Sequence, residues 1–441
     1  MLPRIRKLLL MLTFRLTNKR RLSLLIKLIP CLLLVTYVVN KISPIVSEDE
    51  RAIGYGYQHD QIAFTQPSQP STSLTPNALR ALFNSTNDQQ IIFNLDKYGP
   101  LIPGDPVIVV QVHDRIEYLK VLINSIESVQ GIDKTLLIFT HDVYNPIINS
   151  IVKSIGFCKV IQLFYPFSLQ AYPNEFPGTD PKDCPRDIKQ QEAIALNCQN
   201  AEHPDTYGHY REAVYTQTKH HWFWKMNTIF DKLNVTKDYD GPFVFLEEDH
   251  YAAPDMLHML KSMMDLKLQN NLDVDLFTLG AYVKVFNYLK NSDKLEINKW
   301  ASNLHNMGFV LFRNVWNQIR SCSKNFCTYD DYNWDWSLQH ISEKCMTRPL
   351  KTLAVIAPRV FHIGECGVHH KKSDCSKNQL INKVRQTLKA AVNYLFPSQL
   401  IVQKTTKRSS KMSKVNGGWA DIRDHILCLQ QVVYVDKMQE F

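Results

Sequence analysis

The chain has 441 residues, 45% of them hydrophobic and 21% charged, which is long enough for one large domain or two medium ones around a buried core. Its net charge of +9 is concentrated at one end: nine of the 51 basic residues lie in the first 41 positions, which hold no acid, and the remaining 400 positions carry 42 basic and 42 acidic side chains. A neutral body excludes a partner gripped through a polyphosphate backbone, so no nucleic acid is expected.

The basic start leads into a membrane-like segment. Arg4, Arg6, Lys7, Arg15, Lys19, Arg20 and Arg21 precede Leu22–Val39, which spans roughly 27 Å as a helix against a hydrocarbon core of about 30 Å. Basic flanks stay cytoplasmic, which predicts a tail over 1–21, a signal anchor over 22–39 and a luminal body. A cleaved signal peptide is the rival; the long apolar run and Asn40-Lys41, in place of small residues, count against it. A stem is predicted over 40–90, where Gln66-Pro67-Ser68-Gln69-Pro70-Ser71 has the composition of extended chain, with the folded body over 91–441.

Strand-like and helix-length segments then alternate. Val107–Val112 reads as a strand closing on His113-Asp114-Arg115, Tyr118–Val129 as a helix, and Leu136–Phe139 as a strand closing on Thr140-His141-Asp142. Asn145–Ile155 has helical spacing and Val160–Phe164 is a third strand; this order predicts an α/β fold with a mostly parallel, Rossmann-like sheet flanked by helices. Segment 166–210 reads as loop, Arg211–Leu233 as an aromatic-rich helix, Asp255–Leu268 as a helix and Asp275–Tyr282 as a strand. Ten cysteines lack the paired spacing of a zinc site, and in an oxidising lumen those beyond the anchor read as disulfides that brace the C-terminal part. Asn84-Ser85-Thr86 and Asn234-Val235-Thr236 are glycosylation sequons.

The chemistry centres on Phe243-Val244-Phe245-Leu246 followed by Glu247, Glu248 and Asp249. A strand that ends in acids brings negative charge to the rim of a sheet, where α/β proteins hold metals and phosphate-bearing ligands; a solvated strand end is the plain alternative. Transfer from a nucleotide-sugar requires a divalent cation on the departing diphosphate and a base for the acceptor hydroxyl. Tyr329 to Trp336 supplies acids between aromatics, as a carbohydrate platform would, or as a helix start with core tryptophans would.

Gln111-Val112-His113-Asp114-Arg115, Asn174-Glu175-Phe176-Pro177-Gly178, Asp183-Cys184-Pro185-Arg186-Asp187 and Gly208-His209-Tyr210-Arg211-Glu212-Ala213 resemble the N-acetylglucosaminyltransferase II family. So do Gln217-Thr218-Lys219-His220-His221-Trp222, Leu246 to Tyr251, His305-Asn306-Met307-Gly308, Thr328 to Trp336, His369-His370-Lys371-Lys372 and Asn416-Gly417-Gly418-Trp419. The match runs from about residue 91 to about 428. It implies a GT-A fold, Mn²⁺, UDP-N-acetylglucosamine as inverting donor, an N-glycan acceptor on glycoproteins, and a Golgi, type II membrane enzyme; homodimer formation stays open.

Carried over by resemblance, Asp249 and His362 hold the metal and Asp335 is the catalytic base. Gln111, Val112, His113, Asp114, Arg115, Asp142, Gln217, Thr218, Lys219, His220, His221, Glu247 and Glu248 contact the donor, and Trp334 and Asn306 the acceptor. From the residues alone, a surface charge is the alternative for Lys219 and a packed ring the alternative for His220 or His221. The implied disulfides are Cys184–Cys198, Cys322–Cys345, Cys327–Cys428 and Cys366–Cys375, leaving Cys158 free and buried. Where the family shows an arginine after Tyr282 this chain has Lys284, and Leu304 stands where relatives carry an acid. A silent luminal lectin and a metal-dependent phosphodiesterase remain the competing classes.

Overall fold

The structure, a computed structural model, describes residues 74–282, 286–364, 379–403 and 414–432. The expected anchor, Lys284 and the expected Cys366–Cys375 bridge lie outside the described residues. Among the described residues no helix is long and apolar enough to cross a membrane.

Among the described residues twelve strands form: β1 Ile92–Phe93, β2 Val107–Val112, β3 Leu136–His141, β4 Lys159–Phe164, β5 Phe243–Glu247, β6 His250–Ala252, β7 Leu276–Thr278, β8 Lys294–Lys299, β9 Phe309–Leu311, β10 Lys351–Val355, β11 Val360–His362 and β12 Ile401–Gln403. Ten of them make one sheet in the order β1-β4-β3-β2-β5-β9-β7-β10-β8-β12. The block β4-β3-β2-β5 is parallel throughout, while β9 runs antiparallel to both of its neighbours. The remaining two, β6 and β11, pair antiparallel as a separate ribbon.

The runs of β2 to β5 are mostly apolar, with little alternation, because both faces of the sheet are covered. Alternate residues serve opposite layers. Val107, Val109, Phe243 and Phe245 pack with Trp222, Phe223 and Met226 of the helix Ala213–Asn227. Ile108, Val110, Val244 and Leu246 pack with Leu119, Leu122, Met256 and Met259 of the helices Ile116–Glu127 and Met256–Gln269. Cys158 belongs to this second layer as a small buried thiol.

Two expectations need correction. The folded body starts before Ile91: Pro76–Gln89 is a helix capped by Thr75, whose Oγ1 accepts from the Ala78 N–H at 3.3 Å. Leu79 and Phe83, one turn apart, are its only buried residues; Phe83 stacks on Phe164 at 4.8 Å, and Asn87 bonds both backbone groups of Phe164. Two buried anchors, with Leu82 partly buried beside them, among 14 positions leave too narrow a stripe to stand out from a stem. The strand expected over Asp275–Tyr282 ends at Thr278, and Gly280 makes an isolated bridge to Val360. Disulfides Cys184–Cys198, Cys322–Cys345 and Cys327–Cys428 are formed; the last ties the helix Ile422–Gln430 to the helix Ser323–Thr328. Both sequon asparagines, Asn84 and Asn234, are exposed.

Candidate active site

Because β2, β3 and β5 are parallel neighbours, their carboxyl ends open on one rim. Gln111 lies beside Glu247 in register, and Val112 beside His141. The chain leaves β2 through His113-Asp114-Arg115, β3 through Asp142, and β5 through Glu248-Asp249. A cavity of about 720 Å³ opens there, lined among others by Gln111, His113, Asp114, Arg115, Asp142, Gln217, Thr218, Glu247, Glu248, Asp249 and His362.

His362 arrives from 113 residues downstream by strand pairing. Antiparallel β6 and β11 set His250 opposite His362, and the Ile363 N–H donates to the Asp249 carbonyl at 2.8 Å. His362 Nε2 thereby stands 3.0 Å from Asp249 Oδ2, and Arg115 Nη1 reaches the same oxygen at 2.8 Å. Asp249 Oδ1 is buried without a hydrogen-bond partner. A Cβ on residue 364 would lie 2.2 Å from Asp249 Oδ2, so the backbone can approach the carboxylate only because residue 364 is glycine. Burial opposes the Asp249 charge, but the His362 hydrogen bond and the His362 and Arg115 charges outweigh it and hold the carboxyl well below the usual range.

These residues fit a divalent cation. An orphaned, buried carboxylate oxygen is costly unless something positive satisfies it. Adjacent ligands of an octahedral ion with bonds of about 2.1 Å stand about 3 Å apart, close to the Asp249–His362 separation of 3.0 Å. Glu247, Asp249 and His250 also offer ligand atoms within 4.8 Å of one another.

The rest of the rim is a hydrogen-bonded frame. Glu248 accepts from the His113 N–H and from Arg115 Nε, each at 2.8 Å. Asp142 accepts from His113 Nδ1 at 2.7 Å and Gln217 Nε2 at 3.2 Å. Burial would lower the His113 pKa, but the hydrogen bond and charge of Asp142 prevail and push it up to about 9, so the cavity wall carries an imidazolium. Beneath the rim Lys225, which the sequence reading missed, donates to Gln111 Oε1 at 2.7 Å; burial brings it down to about 7 against the pull of Glu247. Its only sequence signal is a lysine in a buried aromatic helix.

Asp335 sits in the first turn of the helix Trp334–Lys344. Its Oδ1 accepts from the Trp336 N–H at 2.9 Å and its Oδ2 from Asn306 Nδ2 at 3.0 Å. Burial, assisted by the charges of Glu247 and Asp331, pushes it up to about 7. Asp331 and Glu247 are raised as well, in each case by burial first.

Six residues expected at the donor or acceptor are engaged elsewhere and do not line this cavity. Val112 points into the core against the helix layer, where its carbonyl accepts from the Asp142 N–H. Lys219, fully buried, donates to the carbonyls of Tyr329 and Asp331 and lies over Trp419; it pins the loop before Asp335 and does not line the cavity. His220 bonds Asp424 at 2.9 Å, and His221 packs on Tyr165 with its Nδ1 3.6 Å from Asp142. Trp334 stacks on Trp222 at 4.8 Å, so its ring is core and offers no open face. The Asn306 amide is committed to Asp335 and Tyr282. Leu169, Val214, Tyr215, Tyr332, Asn333 and Gly364 complete the cavity wall; only Tyr332 and Asn333 of these fall in a stretch that the sequence marks, Tyr329 to Trp336. Tyr215 and Tyr332 pack at 5.1 Å as an aromatic corner.

A parallel-sheet rim with an acidic cluster, a distant imidazole on the same carboxylate and a near-neutral aspartate belongs here to a chain whose sequence relatives are glycosyltransferases. The family model for N-acetylglucosaminyltransferase II (MGAT2) matches residues 80–428. The chain is 46% identical to the mouse (Mus musculus) alpha-1,6-mannosyl-glycoprotein 2-beta-N-acetylglucosaminyltransferase over 79% of each chain. It is 44% identical to the human (Homo sapiens) protein of that name over 82% of this chain and 80% of the relative, and 34% identical to the Arabidopsis thaliana one over 76% of each. The chain belongs to the N-acetylglucosaminyltransferase II family.

Proposed function

We propose that this chain transfers N-acetylglucosamine from UDP-N-acetylglucosamine, in β1,2 linkage and with inversion, to the α1,6-arm mannose of hybrid N-glycans, committing them to complex biantennary form. The observation that carries the reading is the meeting of Asp249 and His362 at 3.0 Å on the wall of a cavity framed by donor-type groups. Mn²⁺, held by Asp249 and His362, would neutralise charge on the departing diphosphate. Glu247 and Glu248 orient sugar and ribose, and the His113 imidazolium and Arg115 add positive charge for the nucleotide. Asp335 takes the proton of the acceptor hydroxyl as its oxygen bonds the anomeric carbon; the bond from that carbon to the phosphate oxygen breaks, and UDP leaves with the electron pair. Placement in the Golgi membrane rests on Leu22–Val39 and its basic flank.

Incubation with UDP-N-acetylglucosamine, Mn²⁺ and a hybrid glycan bearing N-acetylglucosamine on its α1,3 arm tests the reading. Transfer to the 2-hydroxyl of the α1,6-arm mannose is expected. Acceptor-independent release of phosphate would point instead to a phosphodiesterase, and glycan binding without turnover to a lectin.

A further inference from the structure

A base acts only if its carboxylate is aimed, and the side chain aiming Asp335 is itself held. The Asn306 amide has two ends: Nδ2 donates to Asp335 Oδ2 at 3.0 Å, and Oδ1 accepts from the Tyr282 hydroxyl at 2.9 Å. An ionised carboxylate can only accept, so Nδ2 must face it and Oδ1 must face the tyrosine. Without a donor at Oδ1 the amide could rotate and turn its oxygen toward the carboxylate. Tyr282 supplies that donor. Its ring is half-exposed, so its hydroxyl is the part committed to the structure.

We infer that Tyr282 is a positioning residue that acts through Asn306 to fix the carboxylate of Asp335 for proton abstraction. This rests on the reading of Asp335 as the base. With the Trp336 N–H on Oδ1 and Asn306 on Oδ2, each oxygen accepts one bond, which sets the carboxylate plane and leaves a lone pair for the acceptor hydroxyl. The charged and titratable groups facing this carboxylate are Glu247 from the end of β5, Asp331 from its own loop, and Tyr282. Desolvation together with the charges of Glu247, Asp335 and Asp249 keeps the Tyr282 hydroxyl protonated throughout the working range, so it remains a donor. The two acids oppose ionisation of Asp335, and the Asn306 bond favours it.

The sign of the effect follows. Losing the Asn306 bond raises the Asp335 pKa, and a base works in its ionised form, so the acid limb of the kcat/KM profile moves to higher pH. The test uses the full-length protein with UDP-N-acetylglucosamine and the hybrid glycan, comparing wild type, Tyr282→Phe, Tyr282→Leu, Asn306→Ala and the Tyr282→Phe/Asn306→Ala double variant. Tyr282→Phe, which removes only the hydroxyl, is expected to lower kcat about threefold to tenfold and shift the limb up by about half a pH unit, with UDP affinity unchanged. In the Asn306→Ala background Tyr282→Phe is expected to add nothing, because the relay is already cut. A Phe variant that behaves as wild type while Leu loses activity would mean the ring alone matters, and would overturn the inference. So would a higher acceptor KM without a shifted limb, or additive losses in the double variant. A wild type that transfers nothing overturns the assignment of function as well.

Discussion

At the scale of single residues the site depends on carboxylates driven apart by their surroundings. Asp249 is pulled below the usual range by His362 and Arg115, whereas Asp335 is pushed up to about 7 by burial with two acids nearby. The first suits a ligand that must stay anionic, and the second a base whose proton affinity is matched to neutral pH. A base works only when ionised, so on the proposed role of Asp335 kcat/KM is expected to rise as pH increases through about 7 and to level off above it, and a pH–rate profile reads this directly. Asp335→Asn removes the base while keeping the shape, and should cut kcat by about 10² to 10⁴ with UDP affinity retained. Loss of UDP affinity instead would contradict its role. Neither pKa could be read from sequence, because the contributions of Glu247 and Asn306 to Asp335 come from segments 88 and 29 residues away.

At the scale of elements the legible parts were those with a repeating pattern. Strands β2 to β5 announced themselves as mostly apolar runs, and the polar exits of β2, β3 and β5 lie together on one rim. The helix Ala213–Asn227 was visible as a helix, yet its faces were not: twelve of its 15 residues are buried, so no stripe distinguishes the cavity-lining Gln217 and Thr218 from Lys219, His220 and His221. The helix Pro76–Gln89 failed for the opposite reason, having two anchors only. Those anchors yield a prediction. Phe83 is fully buried and stacked on Phe164, so Phe83→Ala should cost about 3 kcal/mol, measurable as a lower denaturation midpoint. Phe83 lies away from the cavity lining, so kcat of the folded fraction should be unchanged. An unchanged midpoint would show that the helix adds nothing to the fold.

On the scale of the whole molecule the candidate site is a meeting point of distant chain. The rim comes from β2, β3 and β5, the imidazole from the β6–β11 ribbon, and Asp335, the proposed base, from a helix whose loop is held by Lys219 and braced through Cys322–Cys345 and Cys327–Cys428. A ligand that bridges such parts binds the folded chain and not the unfolded one, and therefore stabilises it. At about 100 times its dissociation constant a ligand contributes about 2.7 kcal/mol, which in a chain of this size raises Tm by about 3 to 4 °C. UDP with Mn²⁺ should produce that shift, and UDP with a chelator a smaller one. Asp249→Asn leaves the cavity volume unchanged but halves the carboxylate's ligand capacity and removes its charge, so the Mn²⁺-dependent part of the shift should vanish while the shift from UDP alone persists. A variant that kept the full metal-dependent shift would place the cation elsewhere, because no other described carboxylate both meets His362 at 3.0 Å and leaves a buried oxygen unpaired.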